Sequence, residues 1–280
     1  MRGGSAYTKT GGGAQRRDGM TEDETGFVLR LARDARDLRA AQRLRYRVFV
    51  QELGADGPLV DHERQLETDA FDEHFDHLLL IDPRRDAGHL DDVVGAYRLL
   101  PSDRLATAGR FYSEDEYDLG ALKASGRKLV ELGRSCVHPS YRGGSAMLQL
   151  WNALAGYVLE RDIEVLFGAA SFHGTDVAAL AQPLSYLHHH HLAPPELRVR
   201  ALPPHAAAMD LVAPEALDRR AAVAGTPALI RAYLRLGGFV GEGAFVDHAF
   251  NTTDVCLVLD TARMSDKHRA FWIRKKAARG

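Results

Sequence analysis

Cysteine is scarce in this 280-residue chain: only Cys136 and Cys256 occur, each inside an apolar run. Two such residues supply neither a disulfide framework nor a cysteine-based zinc site, and the usage reads as reduced and intracellular. Long apolar runs are missing as well. No stretch reaches the ~18 consecutive apolar residues of a membrane-spanning helix. The longest region without Asp, Glu, Lys or Arg, Val177 to Pro195, is broken by Gln182, Pro183 and four histidines. A charge excess of one sign is also absent: Lys plus Arg number 36 against 38 for Asp plus Glu, a formal net charge of −2. General nucleic-acid binding, which rests on a strong basic excess, is excluded on that ground. The first twenty residues carry Arg2, Arg16, Arg17 and many glycines but no apolar core of a secretory signal. A cytoplasmic protein is the expectation. With 45% hydrophobic residues the chain is long and apolar enough to bury a full core.

No internal repeat is visible. Residues 1–24 read as a flexible, Gly-rich tail, 25–262 as one α/β domain with an Ala/Pro/Arg-rich insertion at about 193–227, and 263–280 as a basic tail. The spacing predicts a helix from about Asp37 to Leu53, with Leu38, Ala41, Val48 and Phe49 on one face. Arg45 falls within about 20° of Leu38 on that same face. A guanidinium cannot discard its charge, so at such a position it needs a carboxylate or phosphate, or else snorkels at the rim. Strand-like runs follow at His77–Ile81, Val93–Leu100, Lys128–Val137, Ile163–Ala170 and Asp254–Asp260. Between the third and fourth, Ser145–Arg161 reads as an amphipathic helix with Met147, Leu148, Trp151, Leu154 and Val158 inward. Strand, Gly-containing turn, helix, strand is a βαβ crossover and implies two parallel strands in a mixed sheet. Further helices are expected at Asp176–Leu192, capped by Thr175 or Asp176, near Pro214–Val223, and at Pro227–Leu236.

Four features carry possible chemistry. The crossover turn Val137-His138-Pro139-Ser140-Tyr141-Arg142-Gly143-Gly144-Ser145 places glycines just before a helix, where backbone N–H groups can approach an anion, although many such turns hold Gly for packing alone. Upstream, Glu131 and Arg134 interrupt a strongly apolar central strand, which is costly unless they are paired or functional. Strict alternation sets them on opposite faces, and a bulge near Gly133 would bring them together. An acidic run, Glu67, Asp69, Asp72, Glu73 and Asp76, is interleaved with Phe71 and Phe75, so part of it is expected to fold onto the core. The run His188–His191 is a weak metal signal, because consecutive helical residues point in different directions. The C-terminal mixture of Lys267, Arg269, Phe271, Trp272, Arg274, Lys275 and Lys276 suits an anionic membrane surface or an acidic partner, and equally a solvated tail.

Together these segments resemble one family. Leu44-Arg45-Tyr46-Arg47-Val48-Phe49, Asp69 to His77, Glu131-Leu132-Gly133-Arg134-Ser135-Cys136-Val137, Ser185 to Pro195, and Phe250-Asn251-Thr252-Thr253-Asp254-Val255 resemble the bacterial L-ornithine Nα-acyltransferases. These belong to the GNAT superfamily and are more distantly similar to the acyl-homoserine-lactone synthases. The resemblance implies a mixed, mostly antiparallel sheet with flanking helices. It also implies transfer of a 3-hydroxyacyl group from acyl carrier protein to the α-amino group of L-ornithine, giving lyso-ornithine lipid.

The same resemblance implies the site. Glu131, Arg134 and Tyr186 take catalytic roles, Glu131 as base and Tyr186 as the acid for the departing thiolate. Arg45, Phe49, Asp69 and Asp72 bind substrate, the two aspartates facing the δ-ammonium, while Arg45 and Arg134 either hold the acidic cluster in place or bind the ornithine carboxylate. Val137, Arg142, Gly143, Gly144 and Ser145 meet the acyl donor. No metal and no cofactor beyond the carrier protein's acyl-phosphopantetheine arm is expected, and peripheral contact with an anionic inner membrane is an expectation for the basic tail. Ser145 and Met147 stand where the general GNAT pattern has Gly and Gly or Ala. Side chains there crowd a coenzyme A pyrophosphate, which a phosphopantetheine arm lacks. The competing readings are a lactone-synthase-like or acyl-coenzyme A-dependent N-acyltransferase and, last, a non-enzymatic metal- or membrane-binding protein.

Overall fold

The structure, a computed structural model, describes residues 21–22 and 26–264. The basic C-terminal tail and most of the N-terminal tail lie outside these residues. Seven strands carry the architecture: β1 (Val28–Leu31), β2 (Asp76–Ile81), β3 (Val93–Pro101), β4 (Leu129–Val137), β5 (Val165–His173), β6 (Ala244–Asp247) and β7 (Thr252–Asp260). They are ordered β1-β2-β3-β4-β5-β7-β6, and every neighbouring pair is antiparallel except β4–β5. The fold is thus a mixed, mostly antiparallel GNAT-like sheet, as the resemblance implied. Sequence reasoning missed β1, a four-residue run whose pattern is too short to stand out. Thr21–Glu22 pairs with it, so the end of the predicted tail extends the sheet.

Helix α1 (Ala35–Arg45) starts where the Asp34 carboxylate accepts the Asp37 N–H at 2.9 Å. It buries Ala40, Ala41 and Leu44 against Leu79, Ile81 and Val93. The predicted helix runs on to Glu52 as a wider π-helical turn, Tyr46–Glu52, in which the Leu53 N–H reaches back five residues to the Val48 carbonyl at 3.2 Å. Helix α2 (Ala146–Glu160) is the crossover between β4 and β5 and covers the opposite sheet face with Leu150, Leu154 and Val158. It comes so close that a Cβ on Gly95 would stand 2.9 Å from Leu150 Cδ1. Met147 and Leu148 do not face inward as expected; they are 36% and 59% exposed. Leu148 lies about 200° around the helix from Leu150, so burying Leu150 turns it to solvent, and Met147 sits at the rim of the first turn.

Helix α3 (Ala181–His191) begins later than expected, because Asp176 caps a preceding turn by accepting the Ala178 and Ala179 N–H groups at 3.0 and 3.2 Å. The segment read as an insertion packs against α3, where Ser185 Oγ donates to the Met209 carbonyl at 2.8 Å and accepts the Leu211 and Val212 N–H groups. It also sends Ala206–Ala207 to pair with β6. Helix α4 (Ala228–Arg235) follows and lies on the α2 face through Ile230 and Tyr233. A second core, on the α1 face, gathers Phe111, Tyr117 and Leu122 over Leu129, Phe167, Cys256 and Val258.

Candidate active site

The parallel ladder of β4 and β5 is short. Leu129, Val130 and Glu131 pair with Val165, Leu166 and Phe167, and there the register ends. A Cβ on Gly168 would stand 2.1 Å from the Leu132 carbonyl oxygen, so only glycine lets the strands meet at this point before they part. Beyond it lies a cavity of about 230 Å³, walled by 132–135 of β4, 168–171 of β5 and the start of β7. The opposite edge of β4 is irregular too. Ala96 faces Cys136 and Arg98 faces Gly133, so Arg134 and Ser135 together oppose Tyr97 in a bulge, and Arg134 takes φ of 49°. Glu131 and Arg134 consequently line the same cavity.

The cavity has two chemically different walls. Because side chains alternate along a strand, Glu131 shares the face of Leu129, and Asp254 and Thr252 share that of Cys256 and Val258. That is the polar side. Leu132, Leu166, Ala170, Leu257, Leu259 and Tyr233 line the other, apolar side beneath α2 and α4. Phe49 and Leu53 of the π-helical turn also reach the cavity, and the hydroxyls of Tyr97 and Tyr233 meet at 2.8 Å in its wall.

Behind the polar wall three arginines and three carboxylates interlock. Arg45 contacts Glu67 through Nε and Asp72 through Nη1, the latter at 2.6 Å. Arg98 Nη1 contacts Asp69 and, at 3.0 Å, Asp72. Arg134 reaches Glu67 at 3.1 Å and Asp69 at 3.4 Å. Gln42 Nε2 donates to Asp72 at 2.8 Å. Burial alone would raise the Glu67 carboxyl, but the Arg45 and Arg134 guanidiniums outweigh it and hold the group at about 2; Arg45 and Arg98 likewise hold Asp72 well below the usual carboxylate range. Arg45 is therefore a fully buried, paired residue and not a rim arginine. Asp72, expected to meet a substrate ammonium, is 3% exposed and already engaged by Arg45, Arg98 and Gln42. Asp69 is likewise engaged by Arg98 and Arg134. Arg98, fully buried with its guanidinium 4.2 Å from the Phe75 ring centre, is a member that sequence reasoning missed. Its signal was available: a charge amid the apolar run Val93–Leu100.

Glu131 is 2% exposed and accepts the Tyr112 N–H at 2.8 Å, the Ser113 N–H at 2.7 Å and the Ser113 hydroxyl at 2.5 Å. Burial raises its pKa, and these bonds from Ser113 and Tyr112 offset part of that rise. Three further carboxylates were missed. Glu116, Asp247 and Asp254 line the cavity with oxygens all within 4.8 Å of one another. Burial, then the neighbouring Asp254 and Asp247, push Glu116 well up; burial, with Asp247 adding to it, takes Asp254 to about 6. Asp254 could have been found as an acid in an apolar strand, like Glu131. Glu116 comes from a turn and Asp247 from the end of β6, distant in sequence, and neither gave such a sign.

Other expected site residues lie elsewhere. Tyr186 is not among the cavity's lining residues; its ring packs on His190 and His191 of its own helix, at 5.0 and 5.3 Å between centres, because α3 turns that face toward its C-terminal histidines. His189 Nε2 donates to the Val212 carbonyl at 2.9 Å. Val137 ends β4, and its carbonyl accepts from Arg142 Nε at 3.1 Å. Arg142 forks onto Glu52 at 2.5 and 2.8 Å, which fastens the Gly143–Gly144–Ser145 turn to the end of the π-helical segment.

Residues 44–152 match the family described as an acetyltransferase (GNAT) domain. The chain is 66% identical over 261 residues to the L-ornithine N(alpha)-acyltransferase of Rhodobacter capsulatus, covering 93% of this chain and all of that protein. It is 42% identical over 246 residues to the enzyme of the same name from Brucella abortus, covering 87% and 88%. Among solved structures, FeeM, an N-acyl amino acid synthase from uncultured soil microbes, aligns over 85% of this chain and 94% of its own with a TM-score of 0.48 and 13% identity. On the strength of the two curated relatives, the chain belongs to the L-ornithine Nα-acyltransferase family of GNAT N-acyltransferases.

Proposed function

We propose that the protein transfers a 3-hydroxyacyl group from acyl carrier protein to the α-amino group of L-ornithine, releasing the carrier thiol and lyso-ornithine lipid. The observation that carries the reading is the two-walled cavity at the parting of β4 and β5. Its charged wall suits a zwitterionic amino acid and its apolar wall an acyl arm. At about 230 Å³ it is smaller than the ~300–1,000 Å³ typical of sites that enclose a drug-sized ligand, so most of the acyl chain would lie outside it. The amino acid acceptor follows from the names of the relatives.

In this reading Glu131 takes the α-ammonium proton through a water, its own oxygens being held by Tyr112 and Ser113. The freed amine attacks the thioester carbonyl, a C–N bond forms, and the C–S bond breaks. Backbone N–H groups of β4 beyond the end of its ladder with β5 stabilise the oxyanion. Proton return to the thiolate falls to the Tyr97–Tyr233 hydroxyl pair, which lines the cavity, in place of Tyr186. Val137, Arg142, Gly143, Gly144 and Ser145 would flank the donor's pantetheine arm. Arg134 faces the acceptor carboxylate, while Asp69 holds Arg98 and Arg134 in place and Asp72, anchored by Arg45, holds Arg98. Phe49 closes the cavity from the π-helical turn.

The test is a purified-protein assay with L-ornithine and either 3-hydroxyacyl-carrier protein or the matching coenzyme A thioester, with product read by mass spectrometry. Amide formation from the carrier-protein donor is expected, with a loss of about 10²–10⁴-fold in Glu131→Gln. Turnover with coenzyme A alone would overturn the donor assignment, and an unaffected Glu131→Gln variant would overturn the base.

A further inference from the structure

We infer that Glu116, Asp247 and Asp254, with the hydroxyl of Thr252, form the pocket that recognises the side-chain ammonium of the acceptor; this rests on the ornithine reading above and names its specificity residues. The expected partners for that charge, Asp69 and Asp72, are occupied by arginines. Among the described residues no ion pair joins the three carboxylates to a cation, and Arg134 acts on Glu116 and Asp254 only across the cavity. Their oxygens stand within 4.8 Å of one another, and three acceptors around one –NH₃⁺ at about 2.8 Å each are about 4.6 Å apart. The site is also short of partners. Glu116 Oε2, Asp254 Oδ1 and, independently of the acids, Thr252 Oγ1 are buried without a hydrogen-bond partner among the described residues. Glu116 and Asp254 are each 5% exposed and Thr252 9%, and all three line the cavity. Unmatched buried acceptors are costly, a cost that a bound ammonium would relieve.

The surroundings select a diamino acid over a bare cation. Arg134 lines the same cavity, so a ligand spanning the polar wall meets guanidinium at one end and carboxylates at the other. That matches an amino acid carrying its second positive charge on a flexible side chain. A neutral analogue would leave the acidic acceptors unpaired, the arrangement that discriminates most sharply against a substrate lacking one polar group.

The experiment is an equimolar competition between L-ornithine and L-norvaline, the same carbon chain without the δ-amino group, for one 3-hydroxyacyl-carrier protein donor. Wild type should favour ornithine by at least about 10²-fold. In Asp254→Asn, and in the half-buried Asp247→Asn should Asp254→Asn fold poorly, the product ratio should fall at least tenfold. A ratio unchanged while both products decline together would overturn the inference and make the cluster part of the chemistry or the scaffold. Calorimetry separates this from failure of the ornithine reading. Ornithine binding that exceeds norvaline binding in wild type and loses that excess in Asp254→Asn supports the pocket even where no acyl transfer is seen. Stoichiometric Ca²⁺ or Mn²⁺ retained by wild type, with the competition ratio insensitive to the substitutions, would overturn it in favour of a divalent cation.

Discussion

Two acidic groups flank the same cavity and differ in one respect. Glu67, Asp69 and Asp72 are interlocked with Arg45, Arg98 and Arg134, three charges against three. Glu116, Asp247 and Asp254 are in no ion pair among the described residues, and two of the three keep buried oxygens without partners there. In the first group guanidiniums pull Glu67 and Asp72 down, and in the second burial and neighbouring carboxylates push Glu116 and Asp254 up. The balanced set ties α1, the acidic loop, β3 and β4 into one wall, from which Arg98 and Arg134 line the cavity. The unbalanced set is what remains for a ligand to complete. Acidity alone does not mark a binding site; the state of its counter-charges does.

Breaking the balanced set should have the largest effect. Arg45→Met leaves Glu67 and Asp72 buried with too little positive charge and should lower stability by about 3–5 kcal/mol in urea unfolding. The unbalanced set should respond with the opposite sign. Asp254→Asn removes a carboxylate whose ionisation burial opposes, and should raise stability at pH 7.5 by roughly 1–3 kcal/mol while lowering ornithine preference. That gain should vanish near pH 3.5, where the acid is largely protonated in both states.

The pH dependence of the wild type sharpens the contrast. Glu67 titrates near 2 in the folded chain against 4.5 unfolded, so its contribution is complete above about pH 4.5 and lost as pH falls toward 2. Asp254 moves from 3.8 to about 6, so its term reduces stability as pH rises from about 4 to about 6 and is constant above. Unfolding free energies across pH 3–8 for Arg45→Met and Asp254→Asn should therefore depart from wild type in opposite directions. The smallest effect is expected away from both groups: Leu148→Gln, on the outward face of α2, should change stability by no more than about 0.5 kcal/mol.

The balanced set was largely legible in the sequence. Arg45 on the apolar face of a helix and Arg134 in an apolar strand each advertise a cost, and a cost points to a partner or a function. The strands from Asp76 to Val137 and the crossover helix followed from periodicity in the same way. The unbalanced set was not legible, because its members arrive from a 3-10 turn, the end of β6 and the start of β7, and local pattern does not report which turns converge. The bulge at Arg134 was expected only through Gly133, yet it is Arg134 itself that takes the positive φ. Tyr186 was placed in the site by resemblance, whereas its ring packs on His190 and His191 of the same helix. The π-helical turn was invisible for a similar reason, since its side-chain pattern continues that of α1.

The central claim is that this cavity joins an acyl group to ornithine with Glu131 receiving the proton. Mass spectrometry of lipid extracts from cells expressing wild type and Glu131→Gln tests it most directly. The account predicts a new ornithine amide of a 3-hydroxy fatty acid in the wild-type extract, lost or reduced at least about 10²-fold in the variant. An extract without any acyl-ornithine, from cells in which the wild-type chain is folded and abundant, would contradict it.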